Sequence, residues 1–405
     1  MKLTKIEIKG LFDLFDYDIP LTNEENLLII TGPNGFGKTM ILNIIYSFFN
    51  NKLEFFQKLV FKSITIHIDK KEIAIKKGSY KNVELIIFDH NNQIHSAALN
   101  IPNDYKIDKA LDRKDLSRLE KVDSQRIEFY KQIKKEFDVF NVHLIKEQRL
   151  LRRNPKKQKK ATTIDFYLSF ENENFVIDTI EEYANELRDL INDNLEDSYT
   201  ITQQIDSTYP KRLFNEKGTL SIEEFDARFK LLKEKQEKLK RFGLSESEQE
   251  IPDYDEKNAG VLLVYLKDSE DKIKVFDELL NKLELFTNIL NERRFTYKSI
   301  KIDRKKGFIF LTKNGVELSL TDLSSGEQHE VVLLYELIFK TNPNTLVLID
   351  EPEISLHVTW QKEFLSDLLK ILELQKMQVI VATHSPQIIN DRWDLVFNLE
   401  TKKMQ

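Results

Sequence analysis

The chain has 405 residues, 41% of them hydrophobic and 32% charged, and it contains no cysteine. That apolar content suits two or three packed domains and excludes a disordered chain, while the missing thiols exclude disulfides, iron–sulfur clusters, zinc fingers and a cysteine nucleophile. The net charge of −6 excludes a globally basic nucleic-acid binder, no apolar run approaches the ~20 residues that span a bilayer, and the N-terminus MKLTKIEIKG lacks the apolar core of a signal peptide, so a cytoplasmic protein with no membrane partner is expected.

Taken in chain order, Leu3, Ile6 and Ile8 belong to a β-rich run that ends at Gly10. The run 27–30 is short, continuously apolar and bounded by Asn26 and by Thr31–Gly32, the pattern of a strand covered on both faces. Ile41, Ile44, Ile45, Phe48 and Phe49 recur at helical spacing and predict a helix over about 38–50. β-like segments follow at 63–68, 72–76 and 83–89, then a charged helical stretch over 106–137. The run RLLRRNPKKQKK, Arg149 to Lys160, holds seven basic residues in twelve; it could track a phosphate backbone, dock an acidic partner or form a solvated loop.

A largely helical region extends to about residue 291. Ile222, Phe225, Phe229, Leu232 and Leu239 keep a roughly seven-residue repeat, as do Phe276, Leu279, Leu283, Phe286 and Leu290, which predicts two helices packed as a hairpin, the first only about 30 Å long. Between them, GLSESEQEIPDYDEKN carries six acids and a proline, as an exposed connection or a docking point for a basic partner. From Ser299 the pattern returns to strands, with turn signals at Lys306–Gly307 and Asn314–Gly315. A helix near 326–340, a strand at 345–349, a helix near 357–374 and a strand at 379–382 alternate as parallel strands with crossover helices do.

Four segments carry chemistry. Gly32-Pro33-Asn34-Gly35-Phe36-Gly37-Lys38-Thr39 fits G-x-x-x-x-G-K-[ST] between a buried strand and a helix. The glycines let the loop curl so that backbone N–H groups face phosphate oxygens, Lys38 suits the β- and γ-phosphates, and the Thr39 hydroxyl suits Mg²⁺. The strand 346–349 delivers Asp350, placed to hold Mg²⁺ directly or through water, and Glu351, placed to polarise an attacking water. His384 follows a second short apolar strand, within reach of the same water or phosphate. Leu323-Ser324-Ser325-Gly326-Glu327-Gln328 precedes a helix and reads by itself either as an N-cap or, through Ser324, as an anion site.

In this order the four segments resemble the ABC-type ATPases: Walker A at 32–39, signature LSSGEQ at 323–328, Walker B at 346–351 and a histidine switch at His384. The likeness covers the first ~50 residues and roughly 300–400. It implies an α/β P-loop NTPase fold, an ABC-type ATPase head with a mixed β-sheet core and flanking helices, interrupted by a short helical or coiled-coil insertion. The implied organisation is an N-terminal ATPase lobe at 1–170, the insertion at 171–298 and a C-terminal ATPase lobe at 299–405. It implies that ATP is bound by Gly32, Asn34, Gly35, Gly37, Lys38, Thr39 and Met40, and that Mg²⁺ is held by Thr39, Asp350 and Gln148, the glutamine-loop candidate in HLIKEQRLL. Lys38, Glu351 and His384 would be catalytic. Family heads pair head-to-tail, so Ser324 and Gly326 would act in trans in a homodimer or a higher even-numbered oligomer.

The strings KIEIKGLFDLFDYDIPL, GPNGFGKT, LIDEPEISLHVTWQ and THSPQII resemble the RecF/SMC/OLD branch more than a transporter motor. HLIKEQRLL and the stretch around DSTYPKRLF add a likeness to compact prokaryotic antiphage-defence ATPases, those of Septu, PARIS and some retron systems (PtuA-like and AriA-like). OLD-type proteins carry a Toprim nuclease after the ATPase; here 21 residues follow His384 and the seven histidines are scattered, so no intrinsic nuclease is expected. The resemblance implies a regulatory ATPase that controls a separate effector, an HNH- or Toprim-type nuclease. Two alternatives stay open: a DNA-repair or genome-maintenance ATPase acting on DNA through Arg149–Lys160, and a transporter motor.

Overall fold

The computed structural model describes residues 2–21, 23–50, 52, 54–77, 83–89, 92–99, 131, 141–146, 151–153, 176–245 and 253–401. Nearly all of the expected helix over 106–137, Gln148, most of Arg149–Lys160 and part of the acidic connection lie outside them. The chain forms two compact units, Met1–Glu147 with Phe339–Gln405, and Gln148–Ile338. In this division residues 299–338 group with the helical segment.

The first unit holds two sheets, with strands numbered in chain order through the whole molecule. β1 (Leu3–Leu11), β2 (Phe15–Pro20), β4 (Ser63–Ile68), β5 (Lys71–Lys77), β6 (Val83–Asp89) and β7 (Asn92–Leu99) form an antiparallel sheet in the order 2-1-4-5-6-7. β4 shows why: Ile64, Ile66 and Ile68 are buried and alternate with residues that are only half-buried, so one face meets the core. The second sheet is parallel. Its order is β16 (Val396–Asn398), β3 (Leu27–Thr31), β15 (Gln378–Ala382), β14 (Leu346–Asp350) and β8 (Val142–Ile145). Every residue of β3, β14 and β15 is buried, which explains apolar runs in place of alternation.

The helices of this unit are α1 (Lys38–Phe49), α2 (Glu54–Lys58), α8 (Val358–Gln375) and α9 (Pro386–Ile389). Ile41, Leu42, Ile44, Ile45 and Phe48 of α1 join one core with residues of both sheets. The register of the parallel sheet aligns its strand ends: Ile145, Ile349, Val381, Ile29 and Val396 stand in one row across it. The chemistry-bearing residues therefore leave β3, β14 and β15 at one common edge, the carboxyl edge where open α/β sheets bind ligands.

The second unit contains β9 (Leu151–Arg153) paired with β10 (Val176–Asp178), then α3 (Thr179–Asn215), α4 (Ile222–Arg241), α5 (Ala259–Lys274) and α6 (Asp277–Ile289). An antiparallel sheet of β11 (Lys298–Asp303), β12 (Gly307–Thr312) and β13 (Glu317–Leu318) precedes α7 (Ser325–Phe339). The expected turns sit at Gly307 and Gly315, both with φ of +78°. At Gly307 a Cβ would run into the Ala184 carbonyl of α3, so glycine is what lets helix and strand approach there.

The two heptad stripes do lie side by side, but they run in the same direction and do not form a hairpin. Arg228 pairs with Glu270 at 2.7 Å, Lys235 with Asp277 at 2.5 Å and Lys238 with Glu284 at 2.7 Å, so numbers rise together on both sides. Before α5 begins the chain is already back at the start of α4: the Tyr254 hydroxyl donates to the Leu220 carbonyl at 2.6 Å, and its ring lies 5.8 Å from that of Phe225. The antiparallel neighbour of α5 is α3, through Lys272–Asp206 at 2.7 Å and Lys267–Glu216 at 2.8 Å. Among the described residues no helix is long and apolar enough to cross a membrane.

Candidate active site

β3 ends at Thr31, and the loop from Gly32 leads into α1, whose N-cap is Gly37 with φ 89° and ψ 18°. A Cβ at Gly37 would sit 3.1 Å from Leu11 Cδ2, which adds crowding to a left-handed backbone. Among the described residues no side chain caps α1, which leaves its first N–H groups open to an anion. Asn34 and Gly35 are exposed at the tip. Lys38 is 5% exposed; its Nζ donates to the Gly32 carbonyl at 2.9 Å and lies 3.7 Å from the Glu351 carboxylate. The Thr39 hydroxyl donates to Asp350 Oδ1 at 3.1 Å. The Met40 side chain packs, half-buried, against the core. Sequence reasoning missed the residue that braces the loop: the buried Tyr17 donates its hydroxyl to the Phe36 carbonyl at 2.8 Å, and burial pushes that phenol up to about 12.

Asp350, 3% exposed, is the last residue of β14. Glu351 then takes φ 44° and ψ 59°, a left-handed conformation that costs a non-glycine residue of order 1–3 kcal/mol. Its N–H donates to the Ala382 carbonyl at 2.9 Å, which fastens the turn to β15. Glu351 Oε2 lies 2.6 Å from His384 Nδ1. Burial pushes the Glu351 carboxyl up to about 7, the adjacent Glu353 carboxylate adds to the rise, and His384 opposes it.

Glu353 is the second residue that sequence reasoning missed. It is 8% exposed, and its Oε1 accepts from the Thr383 hydroxyl at 2.6 Å and from the His384 N–H at 3.0 Å, while its buried Oε2 has no hydrogen-bond partner among the described residues. The available signal was the string DEPE, an acid two residues after Glu351 at the start of a tight turn.

The donor sets differ in what they can hold. Thr39 Oγ1 and Asp350 Oδ1 are 3.1 Å apart, close to the ~3 Å between neighbouring ligands on an octahedral Mg²⁺ with bonds near 2.0–2.1 Å. These oxygens fit the cation. Glu351, Glu353 and His384 also bring ligand atoms within 4.8 Å of one another. The 2.6 Å between Glu351 and His384, however, is a hydrogen-bond distance, shorter than the roughly 3.3 Å between tetrahedral zinc ligands. This trio reads as a hydrogen-bonded network.

The segment 323–328 belongs to the second unit. Ser324 is exposed and forms a reciprocal cap: its N–H and hydroxyl donate to Glu327 Oε2 at 2.8 and 2.9 Å, and the Glu327 N–H points back at the serine oxygen at 3.4 Å. Lys298 pairs with Glu327 at 2.7 Å. Burial works against the Glu327 charge, but Lys298 and the two Ser324 donors outweigh it and hold the carboxyl below its usual range. Gly326 follows within the first turn of α7, half-buried.

A family model described as an AAA ATPase domain (AAA_15) matches residues 1–389. A protein named Retron Ec83 probable ATPase, from Escherichia coli, is 29% identical over 151 residues, 33% of this chain and 28% of that protein. Protein ea59 of Escherichia phage lambda is 31% identical over 117 residues, 28% of this chain and 22% of that protein. The matched segments thus span about a quarter of the length of these curated relatives. Among solved structures, the Pyrococcus furiosus Smc head domain with an extended coiled coil, bound to the C-terminal domain of ScpA, overlaps with a TM-score of 0.42 at 16% identity, covering 98% of this chain and 92% of that one. The Thermotoga maritima SMC head domain gives 0.35 at 13% identity, covering 98% and 94%.

Proposed function

Because the chain belongs to the AAA ATPase domain family, we propose that it is an ABC-type ATPase of the RecF/SMC branch, which binds and hydrolyses ATP with Mg²⁺ as a nucleotide-dependent dimerisation switch. The observation that carries this reading is the convergence of Lys38, Thr39, Asp350, Glu351 and His384 at one sheet edge, each within contact of another.

In this reading the amides of 32–37 and the α1 N-terminus hold the phosphates, and Lys38 exchanges the Gly32 carbonyl for phosphate oxygen. Thr39 and Asp350 would hold Mg²⁺, which when bound neutralises charge on the β- and γ-phosphates. Glu351 takes the proton of the attacking water, and His384 keeps Glu351 oriented and favours its ionised form. Gln148 stays the candidate for a glutamine-loop contact. Ser324 and Gly326 of a second copy complete the pocket, with 1–170 and 299–405 as the lobes of one head and 171–298 as its insertion.

The biological role we propose is the cytoplasmic ATPase component of a prokaryotic defence system that governs a separate nuclease effector. The likeness to a retron ATPase supports it. Purified protein should turn over ATP, and Lys38→Ala should abolish binding. Glu351→Gln should bind ATP, hydrolyse it slowly and accumulate a closed dimer by light scattering. Wild-type turnover in Lys38→Ala would overturn the ATPase reading. The effector reading is tested separately, by co-purification with the product of a neighbouring gene.

A further inference from the structure

We infer that Glu353 is a positioning residue that holds His384 against Glu351; the inference deepens the ATPase reading and rests on it. A buried carboxylate is expensive to keep unless hydrogen bonds compensate it, so its partners are informative. Both donors to Glu353 Oε1 come from the end of β15, thirty residues away: the Thr383 hydroxyl at 2.6 Å and the His384 N–H at 3.0 Å. The direction of the first bond is fixed. Thr383 Oγ1 accepts from the Ser385 N–H at 3.0 Å, so its single proton goes to Glu353.

A second brace runs parallel to the first. Gln361 Nε2 donates to the Glu353 carbonyl at 3.2 Å and the Leu356 carbonyl at 3.0 Å, while Gln361 Oε1 shares the Ser385 hydroxyl proton, at 3.0 Å, with Gln387 Oε1 at 3.1 Å. The turn after Glu351 and the residues on both sides of His384 are thereby tied together. The side chain of His384 is itself 54% exposed, so packing does little to orient the ring. Its Nδ1 lies 2.6 Å from Glu351 Oε2 and 3.3 Å from Glu353 Oε1, so the ring's placement depends on Glu353 twice, through the flanking backbone it holds and through this direct approach. Sub-ångström placement of this kind matters for catalysis, since a shift of about 1 Å can cost on the order of 100-fold in rate.

The test uses the full chain at pH 8. Glu353→Ala should lower kcat for ATP by roughly 10- to 100-fold while KM moves by less than about threefold. Glu353→Gln keeps an acceptor oxygen and should recover most of that loss. In a His384→Ala background, Glu353→Ala should cost under about twofold, because the ring it positions is gone. The imidazole resonance of ¹⁵N-labelled His384, assigned by its loss in His384→Ala, should shift in Glu353→Ala and shift less in Glu353→Gln, which keeps an oxygen beside the ring. Thr383→Val, which removes one donor and keeps the carboxylate, should shift it in the same direction and serves if Glu353→Ala does not fold. An equal cost of Glu353→Ala in both backgrounds, a Glu353→Gln variant as slow as the alanine, or an unmoved imidazole resonance would each overturn the inference. A wild-type protein no more active than Lys38→Ala would instead remove the ATPase reading, and the resonance would still decide the role of Glu353.

Discussion

Replacing Glu351 by Gln should stabilise the protein, and by an amount that grows with pH. In an unfolded chain this carboxyl ionises near 4.5; in the fold its pKa is about 7, raised by burial and by Glu353. Below the lower value both states are protonated and the site contributes nothing. As pH rises through the interval the unfolded chain releases its proton first, so the native state loses stability until about pH 7. At ~1.36 kcal/mol per pH unit, the interval between the two values caps the loss at about 3 kcal/mol. Glutamine cannot ionise and removes it. The expected gain of Glu351→Gln is thus about 3 kcal/mol at pH 8 and under about 1 kcal/mol at pH 5. Urea unfolding followed by tryptophan fluorescence reads the right unit, since the two tryptophans, Trp360 and Trp393, both lie in the unit that contains Glu351. A gain that is the same at both pH values, or a variant less stable than wild type at pH 8, would refute the electrostatic account.

The same carboxyl sets an activity profile: kcat/KM for ATP should fall on the acid side with a limb near pH 7, because Glu351 must be ionised to take a proton, and Glu353→Gln should move that limb to lower pH by removing the second cause of the rise. Gly307→Ala meets both a positive φ and the Ala184 carbonyl and should cost the second unit about 2–4 kcal/mol, measured by hydrogen exchange in α3 and β12. Ser324→Ala removes the α7 cap and should cost about 1 kcal/mol in the same exchange measurement, read at the α7 N-terminus. Because the chain has no cysteine, the parallel pairing of α4 with α5 and α6 can be read by cross-linking: Arg228→Cys with Glu270→Cys and Lys235→Cys with Asp277→Cys should each bridge through a short bismaleimide, and failure of both pairs would refute the register.

What the sequence displayed and what it hid divide along a physical line. The run at 27–30 reads as a fully covered strand because β3 is buried throughout and has a neighbour on each edge, which leaves no polar position in the run. The phosphate loop was legible because its glycines answer to local backbone geometry at Gly32 and Gly37. Direction is another matter. A heptad stripe marks which face of a helix is buried, and Phe225, Phe229, Leu232, Leu279 and Leu283 are buried as expected while Ile222, at the helix start, is exposed; but the stripe is nearly the same in a parallel and an antiparallel pair. The direction is visible instead in charges outside the stripe, Arg228 with Glu270 and Lys235 with Asp277, which are 42 residues apart in both cases. Glu353 was hidden for a related reason. Read locally, an acid in a proline-led turn is solvated surface; only the parallel register that sets Asp350 beside Ala382 brings Thr383 and the His384 N–H onto its carboxylate. Residues whose role follows from their own backbone or their own strand can thus be read from a string. Those whose role comes from a partner supplied by another strand, as with Tyr17 under Phe36 and Glu353 under His384, require the register first.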